Sequence, residues 1–142
     1  MNIGGKRIYN KTFEGKGDVV LWDVFPVIYG EKVLLTFESK NSEWSQGIWF
    51  MCDQSIEIND AFGKSAMVWF ETAPQQVSIK CYSENGLLNI YNIWDRGNGP
   101  NSQSQSSGML IEEFPNGRRY KCNDIGFKTD FDKLVFKIEH LT

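Results

Sequence analysis

The chain has 142 residues, the usual size of one domain, and its 41% hydrophobic and 14% aromatic content is too high for a disordered chain. A net charge of −3 argues against nucleic-acid binding, because such affinity depends on a surplus of Lys and Arg. The sequence therefore predicts one folded domain over residues 1–142, with no nucleic-acid partner.

The N-terminus and the cysteines bear on the compartment. The first residues, Met1–Arg7, lack the apolar segment of a signal peptide, and the longest apolar run, 19–29, is too short to cross a bilayer. Cys52, Cys81 and Cys122 form an odd and widely spaced set, which is typical of free thiols in a reducing environment. These features predict a cytoplasmic protein that does not associate with membranes.

Alternation of apolar and polar residues predicts β-strands along most of the chain. In chain order, the predicted strands cover roughly 7–13, 19–29, 32–40, 47–53, 55–59, 66–72, 77–82, 87–94, 109–114, 119–123 and 134–139. The last strand shows the pattern most clearly, because Leu134, Phe136 and Ile138 are all apolar and share one face. About ten short strands without a helical segment predict an all-β, single-domain antiparallel β-sandwich of jelly-roll type; a barrel is the less favoured alternative.

Two turns carry strong local signals. Asn85–Gly86 suits a two-residue type I′ turn, and the hairpin it predicts places Cys81 opposite Ile90 and Lys80 opposite Tyr91.

The segment Phe114–Arg118 contains Pro115 and Gly117, which suit a type I turn followed by a left-handed residue. A three-residue loop at this hairpin would place Glu113 opposite Arg119.

Residues that could carry catalysis or bind a metal are few. His140 is the single histidine in the sequence and is in phase with Phe136 and Ile138, so it is predicted to close the core edge. The cysteines lack metal-ligand spacing. Glu112 and Glu113 are neighbours on a strand and point to opposite faces, so they cannot form the carboxylate pair of a glycosidase. The sequence predicts no enzyme activity and no catalytic, cofactor-binding or metal-binding residue.

The candidate binding residues lie in and beside polar loops. One loop, 41–47, contains a tryptophan, and another, 96–108, has no large apolar residue and is long for a connection within a compact domain. The ring of Trp94, in phase with core positions, is predicted to be buried. The predicted ligand- or partner-binding residues are Glu43, Trp44, Gln46, Tyr91, Asp95, Arg96, Asn98, Asn101 and Gln103.

Two functions fit these features. The first is a small protein-interaction module, of inhibitor or immunity type, that binds another protein through its loops. The alternative is a carbohydrate-binding module in which Trp44 stacks on a sugar ring and Asn and Gln side chains bind its hydroxyls. A homodimer formed through an edge strand is compatible with either.

Overall fold

The computed structural model describes residues 5–13, 18–104, 106–125 and 130–141, and within them the fold is built from antiparallel strands. The strands are β1 (Ile8–Tyr9), β2 (Val20–Pro26), β3 (Glu31–Lys40), β4 (Ser45–Ile58), β5 (Ala61–Trp69), β6 (Gln76–Tyr82), β7 (Leu87–Asp95), β8 (Pro100–Asn101), β9 (Gly108–Phe114), β10 (Gly117–Asn123) and β11 (Leu134–His140). One 3-10 turn covers Lys11–Phe13. The two predicted strands 47–53 and 55–59 form the single strand β4. In the described part of the chain, no helix is long and apolar enough to cross a membrane.

Eight of the strands form a closed barrel, in the order β2-β9-β10-β11-β3-β6-β4-β7 and back to β2. The closing contact pairs Asp23–Pro26 of β2 with Leu87–Ile90 of β7. The short strands β1 and β8 and the longer β5 lie outside this ring. The predicted jelly-roll-like β-sandwich is therefore wrong. Apolar alternation has the same period in sandwiches and barrels, so only the long-range pairing of strands separates them.

The interior of the barrel is filled with side chains. Leu134, Phe136 and Ile138 of β11 have no exposed surface, as their alternation predicts, and Ile79 and Cys81 of β6 are equally buried. An eight-stranded barrel is just wide enough for its own side chains to fill the interior. The exposed side chains that could contact a ligand lie on its outer surface and at its two ends.

Asp23 of β2 is a carboxylate within this core. Its Oδ1 accepts a hydrogen bond from Arg7 (2.7 Å), and its Oδ2 accepts one from Arg118 (3.0 Å) and one from the Tyr120 hydroxyl (2.6 Å). A buried carboxylate is tolerated only when such partners replace its hydration. The network therefore fixes the chain before β1 and strand β10 against β2.

The Asn85–Gly86 turn does not form the predicted hairpin. Strand β6 pairs with residues 55–57 of β4, and β7 pairs with residues 45–51 of the same strand. Strands β6 and β7 therefore lie end to end along β4, and within the described residues they are not hydrogen-bonded to each other. The predicted pairing of Cys81 with Ile90 is wrong: a type I′ turn needs a positive φ at both loop residues, and Gly86 has one (77°) whereas Asn85 does not.

The second predicted hairpin, between β9 and β10, is confirmed, but its register differs by one residue. Gly117 already pairs with Phe114, so the loop has two residues. Glu113 consequently lies opposite Arg118 and not Arg119, and Arg118 Nε donates to the Glu113 carboxylate at 2.9 Å.

Candidate functional site

The two predicted binding loops meet at one end of the barrel, which we name the loop end (41–44, 96–104 and 123–125). The Arg96 guanidinium lies 5.4 Å from the centre of the Trp44 ring, within cation–π distance. The Ser42 hydroxyl donates to the Asp124 carboxylate at 3.2 Å. Tertiary contacts thus join segments that lie 52 residues apart (Trp44 and Arg96) and 82 residues apart (Ser42 and Asp124) in sequence.

The polar loop after β7 is held by Asp95. Its Oδ1 accepts hydrogen bonds from the two glycine amides of the loop, Gly97 at 2.7 Å and Gly99 at 3.2 Å. Asn101 then pairs with Trp94, whose side chain is buried as predicted. Of the remaining predicted residues in this loop, Asn98 and Gln103 are exposed.

The residues around Trp44 differ in exposure. Glu43 is exposed and Trp44 is half-buried. Gln46 is fully buried, and its Nε2 donates to Asp124 Oδ2 at 2.8 Å. Burial raises the pKa of the Asp124 carboxyl above its usual value. Gln46 thus anchors the loop end from inside, which leaves Glu43, Trp44 and Arg96 as the accessible part of this group.

Tyr91 lies on the outer face of the barrel, in a row of aromatic rings. It stacks on Trp49 with ring centres 4.5 Å apart and an angle of 17°, and Trp22 lies 5.1 Å away. Burial raises the pKa of the Tyr91 phenol, and the Ser102 side chain of the polar loop acts in the opposite direction. The predicted pairing of Tyr91 with Lys80 is wrong, because Trp49 occupies that position. Tyr91 and Trp49 each cover one face of the other, and both residues, like Trp22, are half-buried.

The opposite end of the barrel carries exposed apolar side chains that the sequence did not single out. Ile28 is 77% exposed, Tyr29 is 58% exposed and Phe62 is 67% exposed. Tyr82 joins them, since its ring lies 5.6 Å from the ring of Tyr29 and 6.2 Å from that of Phe62. We name these four residues the turn-end patch. Lys80 Nζ lies 5.4 Å from the Tyr82 ring, which adds one cation to it.

A pocket of about 610 Å³ opens beside the turn-end patch. Its walls are the segment Pro26–Glu31, Asn116 and His140. His140 Nδ1 hydrogen-bonds to the Glu31 carboxylate, and the imidazole stacks on Phe25 with ring centres 4.8 Å apart. The Glu31 carboxylate also accepts from the backbone amide of Ile28 at 2.9 Å, so it holds both the turn and the imidazole in place.

This arrangement combines apolar walls with one oriented imidazole. Among the described residues that line the pocket, there is no Ser, Thr or Cys side chain that His140 could activate as a nucleophile. The pocket can accept an apolar side chain. Because Nδ1–H donates to Glu31, the atom left for a ligand is Nε2, which accepts a hydrogen bond in the neutral imidazole. Among the described residues, no group of three or more His, Cys, Asp or Glu could hold a metal ion.

One signal in the sequence could have indicated the turn-end patch. Residues 19–29 read as one strand, in which Ile28 and Tyr29 would be ordinary strand positions. Strand β2 ends at Pro26, and Gly30 has a φ of 82°, so residues 27–30 form a turn that exposes two large apolar side chains. Proline and glycine that bracket apolar residues are thus the feature to look for.

The sequence matches no protein-family model and no curated protein. Functional inference therefore depends on the geometry of the two barrel ends and of the outer surface.

Proposed function

We propose that the protein is a non-enzymatic binding module that docks another protein on the turn-end patch, with a partner side chain entering the adjacent pocket. The observation that carries the proposal is the exposure of Ile28, Tyr29 and Phe62 beside Tyr82 and next to that pocket. Clustered exposed apolar side chains are characteristic of interaction sites, and tyrosine is frequent among the residues that dominate binding energy.

The pocket adds chemical selectivity to this surface. A partner side chain that is apolar along its length and carries a hydrogen-bond donor at its tip would match the walls and Nε2 of His140. Because Glu31 fixes the imidazole through Nδ1, the ring is oriented before the partner arrives, which lowers the entropy cost of binding.

The proposed binding surface lies at the opposite end of the barrel from the loops that the sequence favours. At the loop end, Arg96 lies over Trp44 and Gln46 is buried, so less apolar surface is accessible there. Glu43, Asn98 and Gln103 remain available as polar contacts at that end.

The test compares two double variants with the wild-type chain as baits in a native lysate. Ile28→Ser/Tyr29→Ser changes the turn-end patch, and Trp44→Ser/Arg96→Ser changes the loop end as a matched control. We expect wild type and the loop-end variant to capture the same protein from the lysate. The patch variant should capture at least about tenfold less of it. Equal capture by both variants, or loss only in the loop-end variant, would contradict the proposed surface.

Carbohydrate binding, the alternative, has less support. A sugar ring needs a free aromatic face; at the loop end Arg96 lies over Trp44, and on the outer surface Trp49 and Tyr91 each cover one face of the other. A titration of tryptophan fluorescence against a panel of glycans, repeated with Trp44→Ala, tests it directly. A saturable response that is lost in Trp44→Ala would favour the sugar site over the protein-binding patch.

A further inference from the structure

Within the residues that the structure describes, β5 is the one strand of more than two residues that has no strand partner along one whole edge. Every barrel strand has partners on both sides, although β9 pairs with β2 only at Met109, and the outer strands β1 and β8 have two residues each. β5 has nine residues and pairs only with β4. The N–H and C=O groups along its other side are therefore free to pair with a further strand, except the Trp69 carbonyl, which accepts hydrogen bonds from the amides of Thr72 and Ala73.

The second half of β5, Ser65–Trp69, lacks the features that prevent edge pairing. Natural edge strands are usually interrupted by charged residues or proline. This five-residue segment contains neither, and Lys64 lies just before it. Ser65 is exposed and Met67 is 50% exposed.

A row of apolar side chains crosses the outer surface and stops at this edge. The ring of Trp22 on β2 contacts Tyr91 on β7, and Tyr91 stacks on Trp49 of β4. Trp49 lies opposite Met67 in the β4–β5 register. The row thus ends on a half-exposed methionine beside unpaired backbone groups, and a strand that pairs along β5 would cover both.

We propose that two copies of the chain pair β5 with β5 in an antiparallel manner around Met67, forming a symmetric dimer. The two-fold axis places Met67 opposite Met67 of the second copy, Ala66 opposite Val68 and Ser65 opposite Trp69. Each apolar row then continues into the other across the axis, and β2-β7-β4-β5 becomes one sheet that runs through both barrels.

A second copy suits this edge because the segment is self-complementary. A two-fold interface requires a surface to match itself, and in this register no charged side chain faces another. The small Ala66 faces the larger Val68, and the short Ser65 faces the bulky Trp69, so volumes alternate across the pair. The dimer pairs Ser65–Trp69 and does not use Ile28, Tyr29 or Tyr82; Phe62, the fourth patch residue, lies on β5 but outside the paired segment.

The test measures the molar mass of the full chain by sedimentation equilibrium, from micromolar to near-millimolar concentrations. Met67→Lys brings two ammonium groups face to face at the axis, which destabilises strand pairing. Leu141→Lys is the matched control, since Leu141 is exposed to a similar degree at 45% and lies outside β5. We expect concentration-dependent dimers for wild type and Leu141→Lys, and monomers for Met67→Lys with an unchanged circular-dichroism spectrum.

A second measurement tests the register. Directly opposite residues in an antiparallel pair bring their Cβ atoms to within about 5 Å, close to the range of a disulfide. Met67→Cys should therefore form a disulfide-linked dimer with oxidised glutathione, and Leu141→Cys should not. The three native cysteines are buried and should not interfere. A wild-type monomer at every concentration, a Met67→Lys dimer, or equal cross-linking by both cysteine variants would overturn the proposal.

Discussion

The Tyr120 hydroxyl donates a 2.6 Å hydrogen bond to the Asp23 carboxylate in the interior of the barrel, where both side chains are fully buried. Tyr120 stands on β10 and Asp23 on β2, so the bond connects strands that lie almost a hundred residues apart in sequence. Arg7 and Arg118 complete the partners of this carboxylate. The polar network thus lies where the ring of strands closes.

Asp23→Ala should be among the most destabilising single substitutions in the chain. It leaves Arg7, Arg118 and Tyr120 without their shared acceptor, and loss of one partner from a buried ion pair costs about 3–5 kcal/mol. Tyr120→Phe removes a single charge-assisted hydrogen bond and should cost less, about 1.5–3 kcal/mol. Urea unfolding measures both, with the exposed Glu43→Ala as a control; a cost for Asp23→Ala no greater than that of the control would contradict this role.

The protein should lose stability at alkaline pH, in part through Tyr120. Burial, followed by the adjacent Asp23, raises the pKa of the Tyr120 phenol well above its usual value of about 10. A raised folded-state pKa gives a contribution to stability that is complete below about pH 10 and is lost as the pH rises through the folded value. Tyr120→Phe should therefore show a shallower loss of unfolding free energy between about pH 9 and pH 11 than wild type; parallel curves would count against this cause.

Gly117 at the start of β10 should not tolerate a side chain. A Cβ atom built there would lie 2.0 Å from the carbonyl oxygen of Ile138 on β11, and backbone cannot give way cheaply. We expect Gly117→Ala to cost about 1–3 kcal/mol or more, as overpacking does. Gly63→Ala is the comparison, since its closest contact would be 3.3 Å. If the two variants lower the melting temperature equally, close packing of β10 on β11 is not the reason for the loss of stability in Gly117→Ala.

Asp124 and Asp132 should respond to pH in opposite directions. Burial raises the pKa of Asp124, so its contribution to stability is present below about pH 3.9 and is lost as the pH rises through the folded value. A hydrogen bond from Asn41 lowers the pKa of Asp132, so its contribution is present above about pH 3.9 and is lost as the pH falls.

Unfolding free energies of Asp124→Asn and Asp132→Asn, measured against wild type from pH 3 to pH 7, test this pair. Relative to wild type, Asp124→Asn should gain stability as the pH rises and Asp132→Asn should lose it. Differences of the same sign would disprove the assigned causes.

Part of the candidate site could be predicted from sequence, and part could not. Trp44 and Arg96 were each identified from their polar loops, but their contact depends on tertiary structure. Gln46 belongs to the same polar loop as Trp44 and is nevertheless buried. There its side chain donates a hydrogen bond to Asp124, which lies in a distant segment of the sequence. Ile28 and Tyr29 had an apolar pattern that suited a strand, and their exposure follows from a turn at 27–30.

Local alternation determined which residues pair their backbones as strands and which side chains enter the core, as Leu134, Phe136 and Ile138 illustrate. That signal is local because successive strand residues point to opposite faces whatever the neighbouring strand is. Tertiary structure decided how the strands are arranged. The pairing of Asp23 with Ile90 closes the sheet into a barrel, and β4 pairs with both β6 and β7. These pairings depend on the free energies of contacts between distant segments, which cannot be inferred from a short stretch of sequence.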